Sequence, residues 1–264
     1  MKLAGFIGTG KMGGALAVSV IKRVGAENVL LADNSIEKAQ EISKKFGGVC
    51  SSAAEIAQSS KYIFIGVKPQ VISEAFAEIK EILSKRNDFI IVSMAAGVST
   101  ERICTLLGFD APVIRIMPNT SVSVGAGMTL YSPNSLVSEN DVTEFANMLS
   151  LSGELERIDQ SLIDAAMAVS GCGPAFIYLV MKALAEGGEN CGLSKETALK
   201  LSRQTILGAA KLAIESGTDP EQLKKDVCSP GGATIEGIYV LEGANAALAF
   251  SDAVKASYEK AKKL

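Results

Sequence analysis

The chain has 264 residues, 48% of them hydrophobic and 21% charged, with 26 basic against 29 acidic side chains for a net charge of −3. That is the balance of one large or two smaller globular domains, and the absence of a basic stripe argues against a nucleic-acid partner. Histidine and tryptophan are both absent. Without imidazole there is no Ser-His-Asp or Cys-His arrangement and no His-based zinc site. Proton transfer falls to carboxylates, Lys, Tyr, Cys, hydroxyls, water or the substrate.

Five cysteines, Cys50, Cys104, Cys172, Cys191 and Cys228, are an odd number at irregular spacing. They suit neither a disulfide framework nor a metal site and point to a reducing compartment. The start of the chain does not read as a signal peptide. The longest apolar run, Pro174 to Met181, falls well short of the ~20 residues of a membrane span. The expectation is a soluble cytoplasmic protein with no metal, membrane or nucleic-acid partner.

In chain order, Leu3–Ile7 reads as a strand followed by glycines. A helix then carries Met12, Leu16, Val20 and Val24 on one face. Asn28–Ala32 is a second strand, followed by a helix over Ile36–Phe46 with Ile36, Ala39, Ile42 and Phe46 inward. Tyr62–Val67 and Phe89–Met94 are apolar, β-rich runs without polar alternation, as in strands buried on both faces. Helical patterns follow them at Val71–Leu83 and Thr100–Leu107, and Val113–Met117 and Gly127–Tyr131 are further strands. Strands alternating with helices predict a Rossmann-type, doubly wound, mainly parallel sheet.

The rhythm changes after residue 158. Leu162–Val169, Ala175–Gly187, Lys195–Ser216, Ile235–Leu241 and the stretch from Ala244 onward all read as helix. Domains are expected at 1–158 (dinucleotide-binding) and 159–264 (all-α). The helices around Phe176–Leu184 and Leu199–Ile214 are apolar nearly all round and must be covered on every side. Either a second copy of the chain covers them in a homodimer, which is the reading preferred here, or they are buried between the domains of one chain.

The chemistry concentrates in turns. Gly8-Thr9-Gly10-Lys11-Met12-Gly13 follows the strand ending at Ile7 and opens a helix, the context in which G-x-G-x-x-G holds a pyrophosphate. Asp33, 20 residues past Gly13, suits the adenosine ribose and favours NADH. Asn34, Ser35 and Lys38 beside it leave NADPH open, and Asn34 or Ser35 could equally be a helix cap. Val67-Lys68-Pro69, Ala95-Ala96-Gly97 and Met117-Pro118-Asn119-Thr120 follow successive strands at the edge where open α/β sheets bind ligands. Lys68 reads equally as a plain surface lysine.

Farther on, Ser170-Gly171-Cys172-Gly173-Pro174-Ala175 is a loop of little bulk between two helices. In Ser229-Pro230-Gly231-Gly232-Ala233-Thr234, serine is expected as the cap and proline as the first helical residue. The small residues leave the N–H groups of that helix end open to an anion such as a carboxylate, with the Thr234 hydroxyl one turn in.

Taken together, G-T-G-K-M-G, V-K-P-Q, S-M-A-A-G-V, R-I-M-P-N-T, V-S-G-C-G-P-A and C-S-P-G-G-A-T-I-E, in this order, closely resemble the pyrroline-5-carboxylate reductase family over essentially the whole chain. The resemblance implies reduction of 1-pyrroline-5-carboxylate to L-proline by NAD(P)H, the last step of proline biosynthesis. It implies a Rossmann domain followed by a helical dimerisation domain, with a ring of dimers as a further level of assembly. It places the substrate carboxylate on Ser229–Thr234 and Thr234 near the ring nitrogen. Val67-Lys68-Pro69 and Met117-Pro118-Asn119 would then flank nicotinamide and substrate. Asp33 is more acidic than the small polar residue many members carry, and Cys172 stands where serine is common. β-Hydroxyacid dehydrogenases are the nearest competitor, but they need a lysine soon after the glycine turn, and here the first is Lys182.

Overall fold

The computed structural model describes residues 1–263. They divide into two compact units, Met1–Gly171 together with the residues from Tyr258 onward, and Cys172–Ser257.

The first unit is built on eight strands: β1 (Lys2–Ile7), β2 (Val29–Ala32), β3 (Val49–Cys50), β4 (Ser60–Ile65), β5 (Ile90–Ser93), β6 (Val113–Pro118), β7 (Gly127–Pro133) and β8 (Gly153–Arg157). Their order in the sheet is β3-β2-β1-β4-β5-β6-β7-β8. Pairing is parallel except between β6 and β7, so β7 and β8 run opposite to the rest. This is the doubly wound arrangement expected, and its order reverses at the crevice between β1 and β4.

The strands form because β1, β2, β4, β5 and β6 are almost continuous apolar runs covered on both faces. On one face α1 (Lys11–Val24), α2 (Ile36–Phe46) and α6 (Glu139–Leu149) pack over Phe6, Phe64 and Ile116. Phe6 and Phe64, paired in register, stack with ring centroids 4.3 Å apart. On the other face α3 (Ala53–Ser59), α4 (Ile72–Leu83) and α5 (Thr100–Leu107) cover Ile7, Ile63, Ile65 and Ile91. α7 (Ile163–Ser170) lies on that side at β7, where Ile163 packs with Met117 and Leu130. That packing extends the first unit beyond residue 158.

Some expectations change. Ile36 is 62% exposed, and the inward side of α2 is carried by Ala39 and Ile42. α6 and β8 had no counterpart in the sequence reading. In β8 the run Gly-Glu-Leu-Glu-Arg offers one apolar side chain and lies at the sheet edge, where charge blunts further pairing.

In the second unit α8 (Gly173–Asn190) and α9 (Lys195–Ser216) pair closely as an αα-hairpin, pinned where Ser202 Oγ donates to the Met181 carbonyl. α10 (Pro220–Asp226), α11 (Ala233–Gly243) and most of α12 (Ala246–Ala261) complete it. Within α8 and α9 only Ala185, Ala198 and Ser202 are buried, whereas Leu179, Leu207, Leu212 and Ile214 are at least half exposed. The stretch Gln160–Asn190, within which 18 consecutive residues reach a mean hydropathy of 1.5, is long and apolar enough to cross a membrane by length and composition alone. It exceeds the Pro174–Met181 run because the expected Ser170–Ala175 loop is a helical turn: Gly171 and Cys172 both have right-handed helical backbone angles.

Candidate active site

The turn after β1 is fixed by backbone contacts that leave no room for side chains. Gly8 has φ +98°, and its N–H donates to the Ala32 carbonyl at 2.8 Å. A Cβ on Gly13 would stand 2.1 Å from the Gly8 carbonyl oxygen, and one on Gly66 would stand 2.4 Å from the same atom. β1, α1 and the end of β4 therefore meet backbone to backbone at the point where the strand order reverses. Gly10 differs: nothing lies within 4 Å of where its Cβ would be. It opens α1 without a side-chain cap, and the first turn holds no acidic residue. A helix start with uncovered N–H groups, where no protein atom crowds Gly10 at the positive end of the dipole, fits a pyrophosphate. Lys11 is exposed beside it and Met12 half-buried.

Asp33, at the end of β2, turns toward this loop. Its Oδ2 accepts from the Thr9 N–H at 2.7 Å and from Thr9 Oγ1 at 3.3 Å; its Oδ1 accepts from the Ser35 N–H at 3.0 Å. Lys38 stands 3.6 Å away. Burial works against the carboxylate's charge, but the Ser35 and Thr9 hydrogen bonds and Lys38 outweigh it and hold the pKa below its ordinary value. Ser35 is the cap residue of α2 by backbone conformation, yet its hydroxyl donates to Glu37 Oε2 and makes no cap bond. Asn34 is exposed.

The remaining expected residues of the first unit line the same sheet edge, at the carboxyl ends of β4, β5 and β6. Lys68 is exposed and caps a short 3-10 turn over Pro69–Val71, with Pro69 at its first position. Val67 is half-buried. The Ala95-Ala96-Gly97 turn closes with the Val98 N–H donating to the Ala95 carbonyl. Met117 and Pro118 are buried, Met117 against Leu130 and Ile163. Asn119 is committed to backbone: Oδ1 accepts from the Ser121 and Met128 N–H groups, and Nδ2 donates to the Ser170 carbonyl at 2.9 Å. Gly66 escaped the sequence reading, although a glycine directly after an apolar strand was its signal.

In the second unit the Ser229–Thr234 segment departs from the expected cap. Gly232, not Ser229, is the cap residue of α11, and Ala233, not Pro230, is its first residue. Ser229–Gly232 instead form a tight turn closed by the Gly232 N–H donating to the Ser229 carbonyl at 3.0 Å, with Pro230 second and Gly231 third at φ +69°. Proline followed by a positive-φ glycine is the sequence of a type II turn. The helix start still has no side-chain cap, and Ala233 and Thr234 are exposed in its first turn. A separate polar surface hollow of about 760 Å³ runs along α5 between Thr100 and Leu136 and contains none of the expected site residues.

A doubly wound sheet with an uncapped glycine turn at its switch point, followed by a helical unit, defines a dinucleotide-dependent oxidoreductase of two-unit design. Comparison with known proteins narrows this. Residues 160–264 match the family model described as pyrroline-5-carboxylate reductase dimerisation, and residues 4–97 match that of NADP oxidoreductase, coenzyme F420-dependent. The pyrroline-5-carboxylate reductase of Escherichia coli K12 is 37% identical over 266 residues, covering 100% of this chain and 98% of its own. The structure of the Coxiella burnetii pyrroline-5-carboxylate reductase is similar with a TM-score of 0.93 at 34% identity, covering 99% of this chain and 98% of that one. The Plasmodium falciparum pyrroline carboxylate reductase, solved with NADP bound, gives 0.87 at 31%, covering 99% and 97%. This chain belongs to the pyrroline-5-carboxylate reductase family. The dimerisation match spans the apolar Gln160–Asn190 stretch and accounts for it without a membrane.

Proposed function

We infer that this protein reduces 1-pyrroline-5-carboxylate to L-proline with a hydride from NAD(P)H, the last step of proline biosynthesis, as a homodimer. The observation that carries the reading is full-length similarity to reductases of this name, joined to a glycine turn built for a pyrophosphate at the sheet's switch point. When bound, the nicotinamide supplies the hydride that attacks the C=N carbon, while the ring nitrogen takes up the electron pair of the double bond. Gly8–Gly13 holds the pyrophosphate through α1's free N–H groups, with Ile7 at the end of β1 beneath it. Asp33, Asn34 and Ser35 meet the adenosine ribose. Val67-Lys68-Pro69, Ala95-Ala96-Gly97 and Asn119 line the nicotinamide side.

For the substrate, the N–H groups of the Ser229-Pro230-Gly231-Gly232-Ala233-Thr234 segment hold the carboxylate. Met117 and Pro118 flank the ring through the end of β6. Thr234 hydrogen-bonds the ring nitrogen and orients it. A threonine hydroxyl is a weak acid, so the proton comes with an iminium or from water beside Thr234. No histidine is needed, because a basic imine carries its own proton. Residues 159–264 act as the dimerisation and substrate-binding domain, dimers assemble further into a ring, and the enzyme works in the cytoplasm.

The test follows NADH absorbance with 1-pyrroline-5-carboxylate and, separately, with hydroxyacids and NAD⁺. Oxidation of NADH by the imine is expected, and its absence at saturating cofactor sinks the reading. In the same assay Thr234→Ala should lower turnover and leave the cofactor Kd unchanged; parental kinetics would remove Thr234 from the site.

A further inference from the structure

Among the described residues Arg115 is the only charged residue in the buried core. It sits mid-strand in β6, in register between Ser93 of β5 and Ser132 of β7. Its side chain is 6% exposed, and Nη2 donates to Asp164 Oδ1 of α7 at 3.1 Å. Its Nε is buried without a partner.

Such a pair is a poor stabiliser. Burying a guanidinium costs solvation that its attraction to one carboxylate barely returns, and an apolar pair of similar volume would serve the core as well or better. The unpartnered Nε adds to the cost. What an ion pair supplies, and apolar packing does not, is direction: Asp164 has one place along β6, whereas a helix on methyl groups can slide. The same helix is tied to the same strand a second time, where Asn119 donates to the Ser170 carbonyl in its last turn. Met117 lies between the two ties, packed on Ile163.

We propose that Arg115 is a positioning residue for imine reduction: through Asp164 it sets α7 lengthwise on β6, and so fixes the Met117-Pro118-Asn119 strand end against the Ser170-Gly171 helix end. This rests on the assignment of Met117-Pro118-Asn119 to the substrate site. The tie lies four residues below Asn119, ~13 Å along the strand, so Arg115 touches no reactant. Its effect is on geometry, where a shift of ~1 Å can cost up to about a hundredfold in rate.

The decisive variant is Arg115→Met combined with Asp164→Leu, which removes both charges and keeps the volume. It is compared with Arg115→Lys, which keeps the charge. The double variant should melt at the parental Tm and bind NADH with a Kd within about twofold of the parent, while kcat on 1-pyrroline-5-carboxylate falls by about ten- to a hundredfold. Arg115→Lys should recover most of that loss. Parental kcat in a folded double variant would overturn the proposal. So would a double variant that melts well below the parent, or one whose NADH affinity falls in step with kcat, since the pair would then act through stability or general disruption. Turnover of the unaltered enzyme in the same assay reports separately on the reaction assigned above.

Discussion

Asp33 and Thr9 stand 24 residues apart in sequence and are joined twice: the Thr9 N–H donates to Asp33 Oδ2 at 2.7 Å, and the Thr9 hydroxyl reaches the same oxygen at 3.3 Å. With the Ser35 N–H on the other oxygen, three of the carboxylate's four acceptor positions hold hydrogen bonds, and Lys38 stands 3.6 Å off as an ion partner. The residue expected to choose the cofactor is also the strut of the glycine turn proposed to hold it. A ribose diol has one open acceptor position on Oδ1, beside Lys38, and would have to displace the Thr9 hydroxyl to take a second.

Replacing Asp33 with Ser should therefore have two effects. Selection against NADPH relaxes, and NADH itself binds about tenfold more weakly, since hydrogen bonds to a charged group contribute ~1.5–3 kcal/mol. Kd values for both nucleotides, measured by fluorescence, separate the two. An unchanged NADH Kd would mean that the loop holds its shape without the strut.

Two glycines of one motif should behave oppositely. Gly13→Ala drives a Cβ to 2.1 Å from the Gly8 carbonyl oxygen and should lower stability by about 1–3 kcal/mol or more. Gly10→Ala meets no atom of the protein, so its Tm should stay parental while NADH affinity drops through obstruction of the pyrophosphate. Melting and nucleotide titration of both variants check this. Equal melting losses would refute the backbone account of the turn.

Leu207 and Leu212 on α9 are 60% and 55% exposed, in the segment matching the dimerisation model. Leu207→Asp should weaken the dimer by about 1.5–3 kcal/mol and shift light-scattering mass toward the monomer at low concentration. An unchanged mass after both Leu207→Asp and Leu212→Asp would exclude this face of α9 from the interface.

A pH response is written where β4 meets α6. Lys61 Nζ lies 2.7 Å from Asp141 Oδ1 and also binds Glu144, while the buried Tyr62 hydroxyl donates to the Asp141 carbonyl. The Lys61 hydrogen bond, then that of Ser138, holds the Asp141 carboxyl below its ordinary pKa. Burial opposes the Lys61 charge, but Asp141 and Glu144 outweigh it and raise its pKa. The Asp141 contribution is thus full above its ordinary pKa and lost as pH falls through the folded value. The Lys61 contribution is full below its ordinary pKa and lost as pH rises through the folded value. Lys61→Met should cost about 1 kcal/mol at neutral pH and less at strongly acidic pH. Urea melts at both settle it; an equal cost at the two would mean that packing, not charge, is lost.

Much was legible in the sequence because it rests on local rules. A nearly continuous apolar run reads the same in any fold, so β1, β4, β5 and β6 were placed along with α1, α2, α4 and α5, though not α3. The glycine turn was legible because backbone approach admits no other residue. α6 and β8 were not: the burial of Val142 and Phe145 depends on contact with α1 and β7 from distant parts of the chain, and β8 exists only because β7 offers an open edge.

The sequence by itself determined the family and the order of the units, and it marked the turns proposed to face cofactor and substrate, since each follows from residue types at close spacing. Only the tertiary structure decided what those side chains are free to do. It occupied Asp33 with Thr9 of the glycine turn, committed Asn119 to the backbone, moved the start of α11 from Pro230 to Ala233, and set a charged Arg115 in the core against Asp164. Each of these is a hydrogen bond or turn whose geometry depends on through-space neighbours, and no spacing along the chain fixes where a carboxylate or guanidinium finds its partner.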